Sequence, residues 1–203
     1  MNILWTDTVN GSDSTGSGSQ ANPYASIRRA IQTMESGDQI RILPGTYVET
    51  DSVVVSGMDG SLFAEYPGTV YIQPEKTTEH QAGLAVLDAN RFSIYGLNVL
   101  QAADPSGNTV GIYAEDVSTF LAYTCAVSDF EIPSGAGHGI FASGLLGRVE
   151  LCRVTNITCN GGILYGIRTN GINVIDCDVS GLTGTGNCEV KGIKEVFSRN
   201  DGG

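Results

Sequence analysis

The sequence predicts an all-β solenoid, a chain wound into stacked coils of short parallel strands, and three observations predict it. The tripeptide x-Gly-[Ile/Leu] recurs as Ala82-Gly83-Leu84, Val110-Gly111-Ile112, His138-Gly139-Ile140, Tyr165-Gly166-Ile167 and Lys191-Gly192-Ile193, at intervals of 28, 28, 27 and 26 residues. A second motif, [Leu/Cys]-x-Val, keeps step with it as Leu97-Asn98-Val99, Cys125-Ala126-Val127, Cys152-Arg153-Val154 and Cys177-Asp178-Val179, at intervals of 28, 27 and 25. Glycine supplies 27 of the 203 residues while charged residues make up only 16%, a composition of tight turns between short strands rather than of long exposed helices. Coils of 25–28 residues with no room for a helix stack in register, each strand pairing with its equivalent in the next coil, as a parallel β-helix.

The elements follow in order. Ile27, Ala30, Ile31 and Met34 stand at i, i+3, i+4 and i+7 with Gly37 just beyond, the pattern of one short amphipathic helix. Asp38-Gln39-Ile40-Arg41-Ile42 and Gly45-Thr46-Tyr47-Val48-Glu49 flank Leu43-Pro44 as strand, turn, strand. Three residues before each [Leu/Cys] stand Ile94, Ala122, Val149 and Val174, so each coil contains an alternating strand broken by one bend. Polar, glycine-rich corners such as 104–108 and 181–187 separate the strands. Residues 1–50 are read as an N-terminal cap continuous with coils over 51–203, one structural domain. Roughly five coils at ~4.8 Å per strand make a rod of about 25 Å.

Asn10-Gly11-Ser12-Asp13, Ala21-Asn22-Pro23-Tyr24, the helix, Gly37-Asp38-x-Ile40 and Leu43-Pro44-Gly45-Thr46-Tyr47 occur in one order over about 40 residues. This run resembles the N-terminal cap of right-handed parallel β-helix proteins of the pectate-lyase-like superfamily. The resemblance implies a right-handed, single-stranded β-helix. It leaves function open, because that superfamily includes pectinases, bacterial surface proteins and bacteriophage tail and head proteins.

Lys and Arg number 11 against 22 Asp and Glu, a net charge of −11, which repels nucleic-acid phosphates and anionic lipid headgroups. Nucleic-acid and membrane partners are therefore not expected. The start of the chain shows no basic segment and an apolar run of three residues, no secretion signal.

The enzymes of the resembled superfamily make demands that can be checked on residues. Calcium-dependent lyases need a carboxylate cluster on one outer face. The outward positions two residues after each repeat glycine are instead Ala85, Tyr113, Phe141, Arg168 and Lys194. Gly137-His138-Gly139 matches a polygalacturonase tripeptide, yet the other elements of that family are missing, and glycoside hydrolysis needs two facing carboxyls. His138 takes a repeat position filled elsewhere by Val110, Tyr165 and Lys191, which reads as a corner residue. No catalytic residue, cofactor or metal is expected. Cys125, Cys152 and Cys177 share a position with Leu97 and read as a ladder of small apolar thiols inside the solenoid, while Cys159 and Cys188 lie off that register, where a disulfide is conceivable. Tyr113, Phe141, Arg168 and Lys194 form one outward column, suited to a sugar ring or to another subunit.

No terminal helix or capping repeat follows Gly192-Ile193-Lys194 in the sequence, and an open coil needs a cover. The expectation is thus a non-enzymatic bacteriophage virion protein made in the host cytoplasm. It would be a homotrimeric capsid decoration or tail component, with capsid or tail proteins and surface glycans as partners. The alternatives are a carbohydrate-active lyase or hydrolase and a glycan-binding, adhesive module.

Overall fold

A computed structural model describes residues 1–77, 81–102, 110–133 and 135–196. Its strands stack into three parallel faces of a β-helix of about five turns. The first face holds β1 (Ile3–Thr6), β2 (Asp38–Ile42), β5 (Gly60–Ala64), β8 (Arg91–Tyr95), the second halves of β10 (Val110–Tyr123) and β12 (Gly137–Glu150), and β14 (Asn173–Ile175). A second face holds β3 (Gly45–Glu49), β6 (Val70–Pro74), β9 (Leu97–Leu100), β11 (Ala126–Ile132), the start of β13 (Arg153–Asn170) and β15 (Asp178–Ser180). The third, the glycine face, holds β4 (Val53–Ser56), β7 (Ala82–Leu87), the first halves of β10 and β12, the end of β13, and the end of β16 (Thr183–Val196). The one helix among the described residues is α1 (Ile27–Thr33).

The two sequence motifs keep step because they touch. A Cβ added at Gly83, Gly111, Gly139 or Gly166 would run into the Cγ1 atom of Val99, Val127, Val154 or Val179, respectively. In these four coils the repeat glycine leaves the space that the repeat valine fills, and close packing makes a wrong volume at either position costly.

The bend inside each strand pair is a single residue with positive φ: Gly96 at 71°, Thr124 at 52°, Leu151 at 52° and Asp176 at 49°. Each stands directly before the repeat [Leu/Cys]. The corner is locked from coil to coil, as Gly96 N donates to Tyr123 O, Thr124 N to Glu150 O and Leu151 N to Ile175 O. A second left-handed corner runs through Asp129, Asn156 and Gly181, and Asn156 Nδ2 donates to Asp129 Oδ1 at 3.2 Å.

Inside this frame the ladder of thiols is built as a column beneath Leu97. Cys125 and Cys152 are buried and Cys177 is half-buried. Their thiols donate to corner carbonyls: Cys152 Sγ to Glu150 O at 3.4 Å and Cys177 Sγ to Ile175 O at 3.3 Å. The neighbouring thiol of Cys125 and burial raise the Cys152 thiol, and that of Cys152 together with burial raises Cys177, so Cys152 is an unreactive core group and Cys177 a slowly reacting one. All five cysteines are free, so the disulfide considered between Cys159 and Cys188 is not formed in this structure.

Hydrogen-bonded polar groups help close the N-terminal end. Ser26 accepts from Arg29 N as the helix cap, and the buried Glu49 Oε1 accepts from Ile27 N at 2.7 Å. Tyr47, buried under α1 and β1, donates to the carbonyls of Thr6 and Leu43, and burial pushes its hydroxyl up to about 12. The open far end inferred from the last residues lies outside the described residues, as do the corner at 104–108 and everything beyond 196.

Candidate functional site

The glycine face turns one set of side chains inward and the next outward. Ile112, Ala114, Ile140, Ala142 and Ile167 belong to the main core. Tyr113, Phe141, Arg168 and Lys194 stand outside them in direct register on β10, β12, β13 and β16, the column that the repeat requires. A second outward column, Val110, His138, Tyr165 and Lys191, runs beside it. At the N-terminal end both columns are apolar, with Ala82, Ala85 and Val110 buried together and Val54, Tyr113 and Phe141 packed on them. Toward the C-terminal end they become cationic.

Ring geometry ties the two columns into one surface. Tyr113 and Phe141 stack with centroids 5.1 Å apart, and His138 and Tyr165 stack at 5.2 Å. The Arg168 guanidinium lies 5.7 Å from the Phe141 centroid and 5.2 Å from that of Tyr165, while Lys191 and Lys194 stand 5.5 and 5.6 Å from Tyr165. Each such contact contributes about 0.5–1 kcal/mol at an exposed site. Lys191 is also paired with Glu189 at 3.0 Å. Neither Arg168 nor Lys194 forms an ion pair with a carboxylate among the described residues.

The remaining groups complete the site's electrostatics. Tyr113 donates its hydroxyl to Glu115 Oε2 at 2.6 Å, and burial and that carboxylate raise the phenol. His138 is held down to about 4, first by burial and then by the Arg168 charge, so its imidazole is neutral at pH 7. Its Nδ1 has no hydrogen-bond partner among the described residues. Beyond Tyr113, Asp116, Ser143 and Asn170 line a polar cavity of about 370 Å³ where the face turns its corner. Among the described residues no three His, Cys, Asp or Glu side chains gather as a metal site would require.

Sequence reasoning placed the first column and took His138 as a mere corner residue. It did not weigh His138, Tyr165 and Lys191 together, although all three occupy the position before the repeat glycine. It also missed an aromatic ladder on the first face. There Phe63 and Tyr95 stack at 4.5 Å, Tyr95 and Tyr123 at 5.4 Å, and Arg41 caps Phe63 at 4.4 Å. The signal was present, since Tyr95 and Tyr123 each directly precede the bend residue of their coil.

No protein-family model matches the chain, and no curated protein sequence does. Solved structures do. A pectin methylesterase in complex with a hexasaccharide superposes at a TM-score of 0.51, with 14% identity over 82% of this chain. The pectin methylesterase of Erwinia chrysanthemi gives 0.50, again with 14% identity over 82%. The fold is the right-handed parallel β-helix of the pectate-lyase-like type. A rhamnogalacturonan lyase aligns with 95% of this chain at 14% identity and a TM-score of 0.44. The chain spans 54% of each methylesterase and 62% of the lyase.

These neighbours correct the functional expectation. The pectin methylesterases that the chain resembles in fold are carbohydrate-active enzymes, which overturns both the bacteriophage virion role and the expectation of a non-enzymatic protein. The virion argument rested on an uncovered far end, and the residues that would show it lie outside the described ones.

Proposed function

We propose that this chain is the β-helix of a carbohydrate-active enzyme that holds an acidic, uronate-containing polysaccharide on its glycine face. One observation carries the reading: Arg168 and Lys194 stand side by side on paired strands, without a carboxylate partner among the described residues, at the edge of an aromatic surface. Two like charges on neighbouring strands repel each other. A ligand carboxylate between them relieves that repulsion, and a guanidinium meets it with two parallel hydrogen bonds. The net charge of −11 opposes the approach of an acidic polymer, but at physiological salt such fields decay within about 8 Å, so the local pair decides at contact.

The arrangement favours chemistry at the uronate's carboxyl end over glycosidic hydrolysis. Cations that offset the carboxyl group ease removal of the proton beside it or attack on its ester. Hydrolysis between sugars needs two opposed carboxyls, and here Glu115 is engaged by the Tyr113 hydroxyl. The fold shared with pectin methylesterases supports the same substrate class.

The test is incubation with polygalacturonate and with methyl-esterified pectin, following unsaturated-uronate absorbance, methanol release and new reducing ends, alongside affinity electrophoresis in polygalacturonate gels. Retardation that falls at least tenfold in the Arg168→Ala/Lys194→Ala double variant is expected. A wild-type protein that neither binds nor changes any uronate polymer ends the proposal.

A further inference from the structure

A cavity larger than the one beyond Tyr113 lies away from the glycine face. It is a trough of about 730 Å³ on the first face, with Asp38, Asp59, Ser61, Asn90, Arg91 and Ser93 among its walls. Through Ser61 and Ser93 it runs into a second hollow of about 250 Å³, edged by the ladder of Phe63, Tyr95 and Tyr123. Each spans successive coils along the solenoid axis, because β5, β8 and β10 are neighbours in register there, and the second lies further along the same strands.

We propose that this trough is a second saccharide-binding site, selective for neutral, hydroxyl-rich sugar chains. The inference rests on the reading of the chain as carbohydrate-active and adds a contact on a different face. Three features carry it.

The first is the supply of fixed polar groups. Asp59 Oδ1 accepts from both Asn90 N and Arg91 N of the next coil, at 2.8 and 2.9 Å, which holds the carboxylate rigidly in the wall while Oδ2 makes no bond among the described residues. Gln39 Nε2 donates to Ser61 Oγ at 3.1 Å, fixing that hydroxyl in the same way. Groups held in place by their own partners lose little freedom when a ligand binds.

The second is the ladder. Phe63 and Tyr95 are covered on both ring faces by the ladder and by Arg41, and Tyr123 on one by Tyr95, so what these rings offer the trough is chiefly edges and phenol tips. The hydroxyls of Tyr95 and Tyr123 have no partner within the described residues, and both side chains are half-buried, so each is free to bond to a sugar hydroxyl. Equivalent groups recur at the strand spacing of ~4.8 Å, and a polymer lying along the axis meets a similar environment at each coil.

The third is charge. The ionisable groups lining the trough are Asp38, Asp59, Arg91 and the α-amino group of Met1. Backbone donation from Asn2 and Glu35 lowers the Asp38 carboxyl despite its burial, so it stays ionised. Two carboxylates against two cationic groups leave the trough without a net charge, unlike the cationic Arg168 and Lys194 pair, so a uronate gains no preference there and neutral sugars are the matching class.

Affinity electrophoresis in gels of galactan, glucomannan and mixed-linkage glucan, with polygalacturonate run in parallel, tests this. At least one neutral polymer is expected to retard the wild type. The Tyr95→Phe/Tyr123→Phe variant, which keeps the rings and loses only hydroxyls, is expected to weaken that retardation at least fivefold while polygalacturonate binding is unchanged. Ser93→Trp, which fills the trough, is expected to abolish it, with its thermal midpoint checked for folding. No retardation by any neutral polymer, or retardation that persists in both variants, overturns the proposal. Loss of polygalacturonate binding alone, with neutral binding intact, counts against the uronate reading and leaves the trough standing.

Discussion

Gly139 and Val154 are complementary halves of one packing contact: a Cβ on the glycine would enter the space held by the valine's Cγ1 and crowd the carbonyl of Gly166. Gly192, at the equivalent position in the last described coil, has nothing within 4 Å of that place. The same substitution is therefore expected to behave in two ways. Gly139→Ala overpacks the core and should cost about 1–3 kcal/mol, a fall in Tm of roughly 2–4 °C per kcal/mol for a chain of this size. Gly192→Ala should leave Tm unchanged or slightly raised. Thermal unfolding by circular dichroism checks both, and equal shifts would disprove the pairing.

The bend residues carry a second prediction. Leu151 sits in the left-handed region at φ 52° with 45% of its surface exposed, so it tolerates an unfavourable backbone while burying little. A non-glycine residue there costs roughly 1–2 kcal/mol, and glycine's greater freedom in the unfolded chain returns about 0.5–1 kcal/mol of that. Leu151→Gly should then stabilise the protein by about 0.5 kcal/mol, read as a rise in the denaturant midpoint at constant slope. Gly96 already provides that solution two positions earlier in the stack.

This bend also shows how far the sequence could be read. The apolar-x-x-[Leu/Cys]-x-Val pattern located the break in the strand to within two residues, because buried positions on both sides of it are periodic. It did not show that Thr124, Leu151 and Asp176 take a glycine-like conformation, since three unlike side chains share only a backbone state. The same limit governed the site. Tyr113, Phe141, Arg168 and Lys194 could be aligned from the repeat, whereas the trough could not, because Asp59 and Asn90 lie in irregular corners, Arg91 only begins β8, and the three meet only when coils stack. Function was read from a missing cover at the chain's far end, a feature that no repeat position encodes, and there the reading failed.

The thiols separate by depth. Cys125, Cys152 and Cys159 are each 1% exposed, while Cys177 and Cys188 are half-buried. Burial and the neighbouring Cys188 push the Cys159 thiol up to about 12. Cys188 is expected to react first with a thiol reagent at pH 7.5 and Cys177 more slowly, because its neighbour Cys152 and burial raise it. The other three should wait for unfolding. Mass spectrometry after timed alkylation reads this order, and five titratable thiols are expected once the chain is denatured without reductant. A count of three would mean that one disulfide had formed, contrary to the structure.

His138 makes stability depend on pH in a defined direction. Its folded value near 4 lies below the value of about 6.5 expected in the unfolded chain, so between these limits the unfolded state binds more protons. Its contribution is neutral above pH 6.5, and stability is lost as pH falls toward 4. The full shift corresponds to about 3 kcal/mol, and sharing of the half-buried ring with solvent reduces what is measured. His138→Gln, which carries no charge at any pH, should flatten the unfolding free energy between pH 6.5 and 4 by roughly 1–3 kcal/mol relative to the wild type. Carboxylates that titrate in the same window are present in both proteins, so the difference isolates the imidazole. A nuclear magnetic resonance titration that places His138 above 6 would remove the effect, and with it the claim that the ring beside Arg168 is neutral at pH 7.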